Sequence, residues 1–280
     1  MNKKATLALA FMAITTLAFT GCGKKPGAGS ESAHESSGGE KTEAAAPAPS
    51  AGTGTIKGVV KFTGTAPDMP ELNRQSDPFC AETKMKAQYV VVNDNQTLAN
   101  VGVRVMGAKG GPDGEAMVEI DQKNCMYSPR VIASVDGEEV EIVNSDPTLH
   151  NVHTYAGTKT LFNQAQPKGT PPIKKTFNKD DGEIVKFKCD VHPWMTGWLV
   201  INDNGFNAVT GTDGSFEIKN VPVGTYTLKS FQEHYGEKDI QVTVEKDKTA
   251  EVEFAYDGSE KAAFKYREVT IGFHDGHEHH

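Results

Sequence analysis

The segment from Phe187 to Ile201, FKCDVHPWMTGWLVI, brings a cysteine, a histidine and a methionine into one turn as Cys189, His192 and Met195. A thiolate, an imidazole and a thioether spaced C-x2-H-x2-M are soft and borderline donors able to share one metal ion. Two histidines and a cysteine, with a weak and distant methionine, form a copper site for single-electron transfer. That set needs a second histidine. The segment from Gly137 to His153, GEEVEIVNSDPTLHNVH, supplies His150 at the end of a predicted strand. Structural zinc takes four Cys or His ligands, often in close pairs, so one cysteine and a methionine favour copper. His153 competes with His150, but residues three apart on a strand point to opposite faces, and only one can meet the loop. Pro193 fixes a backbone dihedral and stiffens the turn. Taken singly, Cys189 reads as a buried thiol, His192 as a surface residue and Met195 as core filler. Taken with His150, they read as a site.

The elements that must position these residues are strands. The 280-residue chain is long enough for two domains and a tail. Short runs rich in Val, Ile, Thr and Phe alternate with the turn signals NDNG, TDGS, VDGE and PVGT, and long helical stripes are absent. This pattern predicts an all-β sandwich or barrel protein. The net charge of −8 argues against a nucleic-acid partner and for docking to something basic. No nucleophile triad, phosphate-binding glycine loop or second metal site with an open position is discernible, so the chain is not expected to be an enzyme.

Residues 1–21 form an export signal: Lys3 and Lys4, then an apolar run from Ala5 to Phe19, then small residues. LAFTGC, ending at Cys22, resembles a bacterial lipobox, although Phe19 stands where an aliphatic residue is usual. The resemblance implies a lipidated Cys22 as mature N-terminus. Gly23 after it implies the outer membrane, facing the periplasm. Ordinary secretion with an incidental cysteine is the alternative. Residues 22–53 are rich in Gly, Ser, Ala, Pro and Glu and read as a disordered tether.

Residues 116–202 resemble a cupredoxin. MVEIDQKNCMYSPRVIASVDGEEVEIVNSDPTLHNVH matches its first half, with Pro129, the turn Val135–Val140 and the His-Asn pair, and FNKDDGEIVKFKCDVHPWMTGWLVI matches its second. The loop CDVHPWMTG is most similar to that of amicyanin; plastocyanin has a longer one. The resemblance implies a Greek-key sandwich with one type 1 copper held by His150, Cys189, His192 and Met195. It also implies that the Asn151 amide bonds to the thiolate sulfur, which would tune the metal. Trp194 would belong to an apolar rim around an exposed ligand histidine, where partners dock and electrons pass. Packing of Trp194 onto a neighbouring domain is the other reading. Trp198 is expected in the core.

TDGSFEIKNVPVGTYTLK resembles a carboxypeptidase regulatory-like, or transthyretin-like, sandwich. About five strands follow Phe206, too few for two closed sheets. The family's opening strands match Thr55–Gly64 and Leu98–Gly107 instead. The expectation is a discontinuous host, residues 54–115 and 203–257, with the cupredoxin inserted between its strands. An oxidising periplasm favours a Cys80–Cys125 disulfide, two free thiols being the alternative. His234 reads as a turn residue. Residues 258–280 end in HDGHEHH, where His274, His277, His279 and His280 form either a weak metal-gathering tail or a solvated one.

The expected function is a periplasm-facing, lipid-anchored type 1 copper protein carrying single electrons between redox proteins, such as a c-type cytochrome. Copper handling, as a chaperone, buffer or sensor, is the first alternative. A structural β-sandwich surface module is the second.

Overall fold

The computed structural model describes residues 52–112 and 117–260. The leader, Cys22, the tether up to residue 51, the histidines after position 260 and the junction at 115–116 lie outside the described residues. In chain order the elements are β1 (Thr53–Phe62), the one-turn helix α1 (Pro78–Ala81), β2 (Gly102–Met106), β3 (Val118–Lys123), β4 (Met126–Ser128) and β5 (Val131–Val135). Next come β6 (Glu139–Asn144), β7 (His150–Ala156), β8 (Lys159–Gln166), β9 (Ile173–Thr176), β10 (Ile184–Lys188) and β11 (Thr196–Asn202). The chain closes with β12 (Asn207–Val209), β13 (Ser215–Pro222), β14 (Gly224–Gln232), β15 (Gly236–Val244) and β16 (Thr249–Tyr256). The fold is all-β.

Two of the sheets draw on both ends of the described chain. One has the order β13-β1-β16, the other β12-β2-β14-β15. Strand β1 runs antiparallel to β13 and parallel to β16. Between these sheets lies a core containing Ile56, Val60, Phe62, Val103, Val105, Phe216, Leu228 and Phe254. The later segment alone cannot close this core, because β1 and β2 supply a strand to each sheet.

The other two sheets have the orders β5-β11-β10-β7-β8 and β4-β3-β6-β9. Their core holds Ile120, Tyr127, Ile142, Val152, Phe187, Leu199 and Ile201, and includes Cys189 and Met195. Alternation sets the inward face. In β7, His150, Val152, Thr154 and Ala156 are buried while the residues between them are half-buried. Cys80 lies in this second core, with Phe79 packed against it, although both precede β2 in the chain.

Strand β11 is buried on both faces, as a strand covered on two sides must be. Leu199 and Ile201 face the core around Cys189, while Trp198 and Val200 pack with Val131, Ile184 and Phe231. Trp198 and Phe231 meet edge-on with centroids 5.5 Å apart. Gly102 permits the close approach of β2, since a Cβ there would fall 2.8 Å from Val200 Cγ2. Two buried arginines cross this seam in opposite directions. Arg104 of β2 donates to Glu183 Oε2 at 2.8 Å and to the Ile201 carbonyl at 2.9 Å. Arg130 grips Glu233 with both Nε and Nη2, and Trp198 Nε1 donates to the same carboxylate at 2.8 Å. Burying charges is tolerable here because each carries a partner and further hydrogen bonds.

Candidate metal centre

The turn between β10 and β11 is closed by its own backbone. Met195 donates to the His192 carbonyl at 2.9 Å, and Cys189 to the Met195 carbonyl at 3.3 Å. The His192 amide points at Cys189 Sγ, 3.3 Å away. Sequence proximity therefore becomes spatial convergence without help from distant residues. His150 arrives on β7, which pairs with β10 through Lys188↔His153. The Asn151 amide reaches the sulfur at 3.4 Å. Its side chain accepts from the Asp190 amide at 3.2 Å, fastening the two ligand-bearing segments. Tyr127 ties the same strands from below: its hydroxyl lies 3.3 Å from each of the carbonyls of Asn151 and Lys188. Tyr127 fits because residue 197 is glycine, where a Cβ would sit 2.8 Å from Tyr127 Cβ.

One donor atom each from His150, Cys189 and His192 lies within 4.8 Å of the others, and all three residues are buried. His150 Nδ1 and His192 Nδ1 are 2.9 Å apart, and Cys189 Sγ is 3.8 Å from His192 Nδ1. Met195 is fully buried in the same core. His153 faces elsewhere, with Nδ1 2.9 Å from Asp190 Oδ2. His234 is exposed in the turn between β14 and β15.

Carboxylates hold the far side of both imidazoles. His150 Nε2 lies 2.8 Å from Asp146 Oδ2, and His192 Nε2 lies 3.3 Å from Asp77 Oδ2. A carboxylate partner selects the tautomer with its proton on Nε2, leaving the Nδ1 lone pairs to face one another. Two such lone pairs at 2.9 Å repel unless a proton or a cation lies between them. Burial pushes the Cys189 thiol up, but hydrogen bonding with the His150 and His192 side chains and from the Asn151 and His192 amides outweighs it and brings the pKa to about 6. Burial alone would depress the His150 imidazole; Asp146 and Cys189 raise it instead. Burial would lift both Asp146 and Asp77 as well. Hydrogen bonds to His150 and the Cys125 and Asn124 amides hold the first low, and those from Thr148 and the Cys80 amide hold the second low. A readily formed thiolate, two opposed imidazole nitrogens and a buried thioether suit copper better than a hard cation.

Cys80 and Cys125 form a disulfide beside this centre. Cys80 Sγ is 3.7 Å from His192 Nε2. Asn124 and Cys125 both have left-handed backbone, with φ of 53° and 54°, and the Asp146 carboxylate accepts both of their amides at 2.7 Å. Trp194 Nε1 donates to the Cys125 carbonyl at 3.0 Å, and its ring lies 5.1 Å from that of His192. Half-buried, Trp194 lines a cleft of about 600 Å³ together with Tyr89, Met126, Lys186 and Trp198.

His192 is not the exposed histidine that the resemblance implies. His192 is 1% exposed, because Asp77 and Cys80 cover its outer edge. Leu149 and Val191, which precede His150 and His192 in the chain, are each over 40% exposed. Sequence reasoning missed the roles of Asp77, Thr148 and Tyr127. Asp77 before Pro78 signals a helix cap, but nothing local signals its reach to His192.

No protein-family model and no curated protein matches the chain. Among solved structures it is similar to a purple cupredoxin from Nitrosopumilus maritimus: 23% identity over 30% of this chain and 99% of that one, with a TM-score of 0.27. It is also similar to amicyanin from Paracoccus versutus: 21% identity over 36% of this chain and 97% of that one, with a TM-score of 0.28.

Proposed function

We propose that the chain is a type 1 copper protein that carries one electron at a time and is not an enzyme. The observation behind this reading is the buried meeting of His150 Nδ1, His192 Nδ1 and Cys189 Sγ, with Met195 in the same core. Bound copper would supply a one-electron couple. Cys189, His150 and His192 would hold it, with Met195 as the weak fourth donor. The protein's part is to keep that geometry nearly constant as charge changes. The backbone bonds of the 189–195 turn, the Asn151 bridge and the Tyr127 tie all resist movement of the donors. Core packing excludes water and exchangeable ligands from the three donors.

A redox partner such as a c-type cytochrome would dock where Leu149 and Val191, the chain neighbours of His150 and His192, are exposed. In this reading residues 116–202 are the cupredoxin domain. Residues 54–115 and 203–257 form a transthyretin-like host, and a lipid on Cys22 holds both at the periplasmic side of the outer membrane. The test is a visible spectrum of the Cu(II)-loaded chain beside a Cys189→Ser variant. An intense thiolate-to-copper band that bleaches and returns on reduction and reoxidation, and is absent from the variant, is the expected result. A colourless loaded protein, or a band surviving the substitution, refutes the assignment.

A further inference from the structure

We propose that Asp77 is a positioning residue that sets the redox balance of the centre through His192. The proposal rests on the copper reading and deepens it by naming a determinant of the potential. Asp77 lies 115 residues from His192 in the chain. Its Oδ1 accepts the amides of Phe79 at 2.8 Å and Cys80 at 3.1 Å, capping α1. Its Oδ2 accepts the Thr148 hydroxyl at 2.7 Å and faces His192 Nε2 at 3.3 Å. The carboxylate is thus held by its own cap, by a residue two positions before His150, and by the disulfide at Cys80. It is aimed at His192 by contacts that do not involve His192.

The consequence is electronic. An N–H donated to a carboxylate leaves more electron density on the ring and makes the opposite nitrogen a stronger donor. A nearby negative charge also favours the more positive metal state, and burial of the His192 ring means little water screens it. Both effects stabilise Cu(II) over Cu(I). Asp146 acts in the same sense on His150, at 2.8 Å, so both imidazoles carry an anionic partner. His192 consequently meets a fixed carboxylate where an open site would offer it water.

The test uses the full copper-loaded chain. Asp77→Asn keeps an oxygen for the α1 cap while removing the charge. Thr148→Val removes the hydroxyl that shares Oδ2 and leaves the carboxylate freer to act on His192. Spectrum and midpoint potential are measured for each. The expected result is a retained charge-transfer band in both, with the potential raised in Asp77→Asn and lowered in Thr148→Val. A tenfold change in the Cu(II)/Cu(I) stability ratio, about 59 mV for one electron, is the expected size for Asp77→Asn. Unchanged midpoints with the band intact overturn the proposal, since a merely structural role would alter stability alone. If Asp77→Asn fails to fold, an unmoved midpoint in Thr148→Val overturns it by itself. A wild-type chain lacking the band refutes the copper reading instead.

Discussion

Removing the Cys80–Cys125 bridge tests how the segment that covers His192 is held in place. The perturbation is Cys80→Ala/Cys125→Ala, which avoids leaving buried polar hydroxyls. The bridge joins residues 45 apart in sequence. Closing a loop of that length removes about 13 cal/mol/K from the unfolded chain, which amounts to about 4 kcal/mol at room temperature. With a urea dependence of about 2.5 kcal/mol/M, the unfolding midpoint should fall by about 1.6 M. The assay is equilibrium urea unfolding of the metal-free chain, because bound metal would raise the apparent stability by mass action. Tryptophan fluorescence is a suitable probe. Trp194 donates to the Cys125 carbonyl, and Trp198 lies in the seam with Phe231. A midpoint within about 0.4 M of the parent, roughly 1 kcal/mol, would refute the reasoning that the bridge works by restricting the unfolded chain.

Three further substitutions probe the supports of the centre and the charged seam beside it. Tyr127→Phe removes the hydroxyl shared by the carbonyls of Asn151 and Lys188 and should cost about 1 kcal/mol, read from thermal unfolding of the metal-free chain. Gly197→Ala forces a methyl against Tyr127 Cβ and Ile120 Cδ1, at 2.8 and 3.0 Å, and should cost about 1–3 kcal/mol by overpacking. A melting temperature equal to the parent's would show that the strands simply move apart. Arg130→Met strands the Glu233 carboxylate, only 6% exposed, and should cost about 3–5 kcal/mol. Adding Glu233→Met should restore most of that loss in a urea double-mutant cycle, whereas additive losses would mean the two groups are not coupled.

The parts of the centre that could be read in the chain are those set by short-range geometry. Cys189, His192 and Met195 fall within one turn, so their spacing alone implies convergence. Alternation says that only one of His150 and His153 can face the turn, and the His-Asn pair of the resemblance selects His150, which is the buried one. Turn signals and β-rich runs foretell an all-β chain, and the shortage of strands after Phe206 foretells that earlier strands must complete those sheets. The pairing of β1 with β13 and β16 supplies them.

What the linear chain could not express is what lies behind the ligands. Asp77 sits in an irregular, proline-rich stretch with no periodicity to orient it, and its distance from His192 is a product of packing. The expected Cys80–Cys125 bridge ties this stretch to the second core, where Cys80 is buried beside the candidate donors. Composition cannot reveal whether a ligand histidine faces water; that depends on which distant segment lies over it. The three candidate donors of the turn, Cys189, His192 and Met195, were therefore decided locally, by residue type and spacing, and His150 joins them through strand pairing. Their electrostatic surroundings and their access to solvent were decided only when the chain closed, because charge and burial act through space and take no account of sequence order.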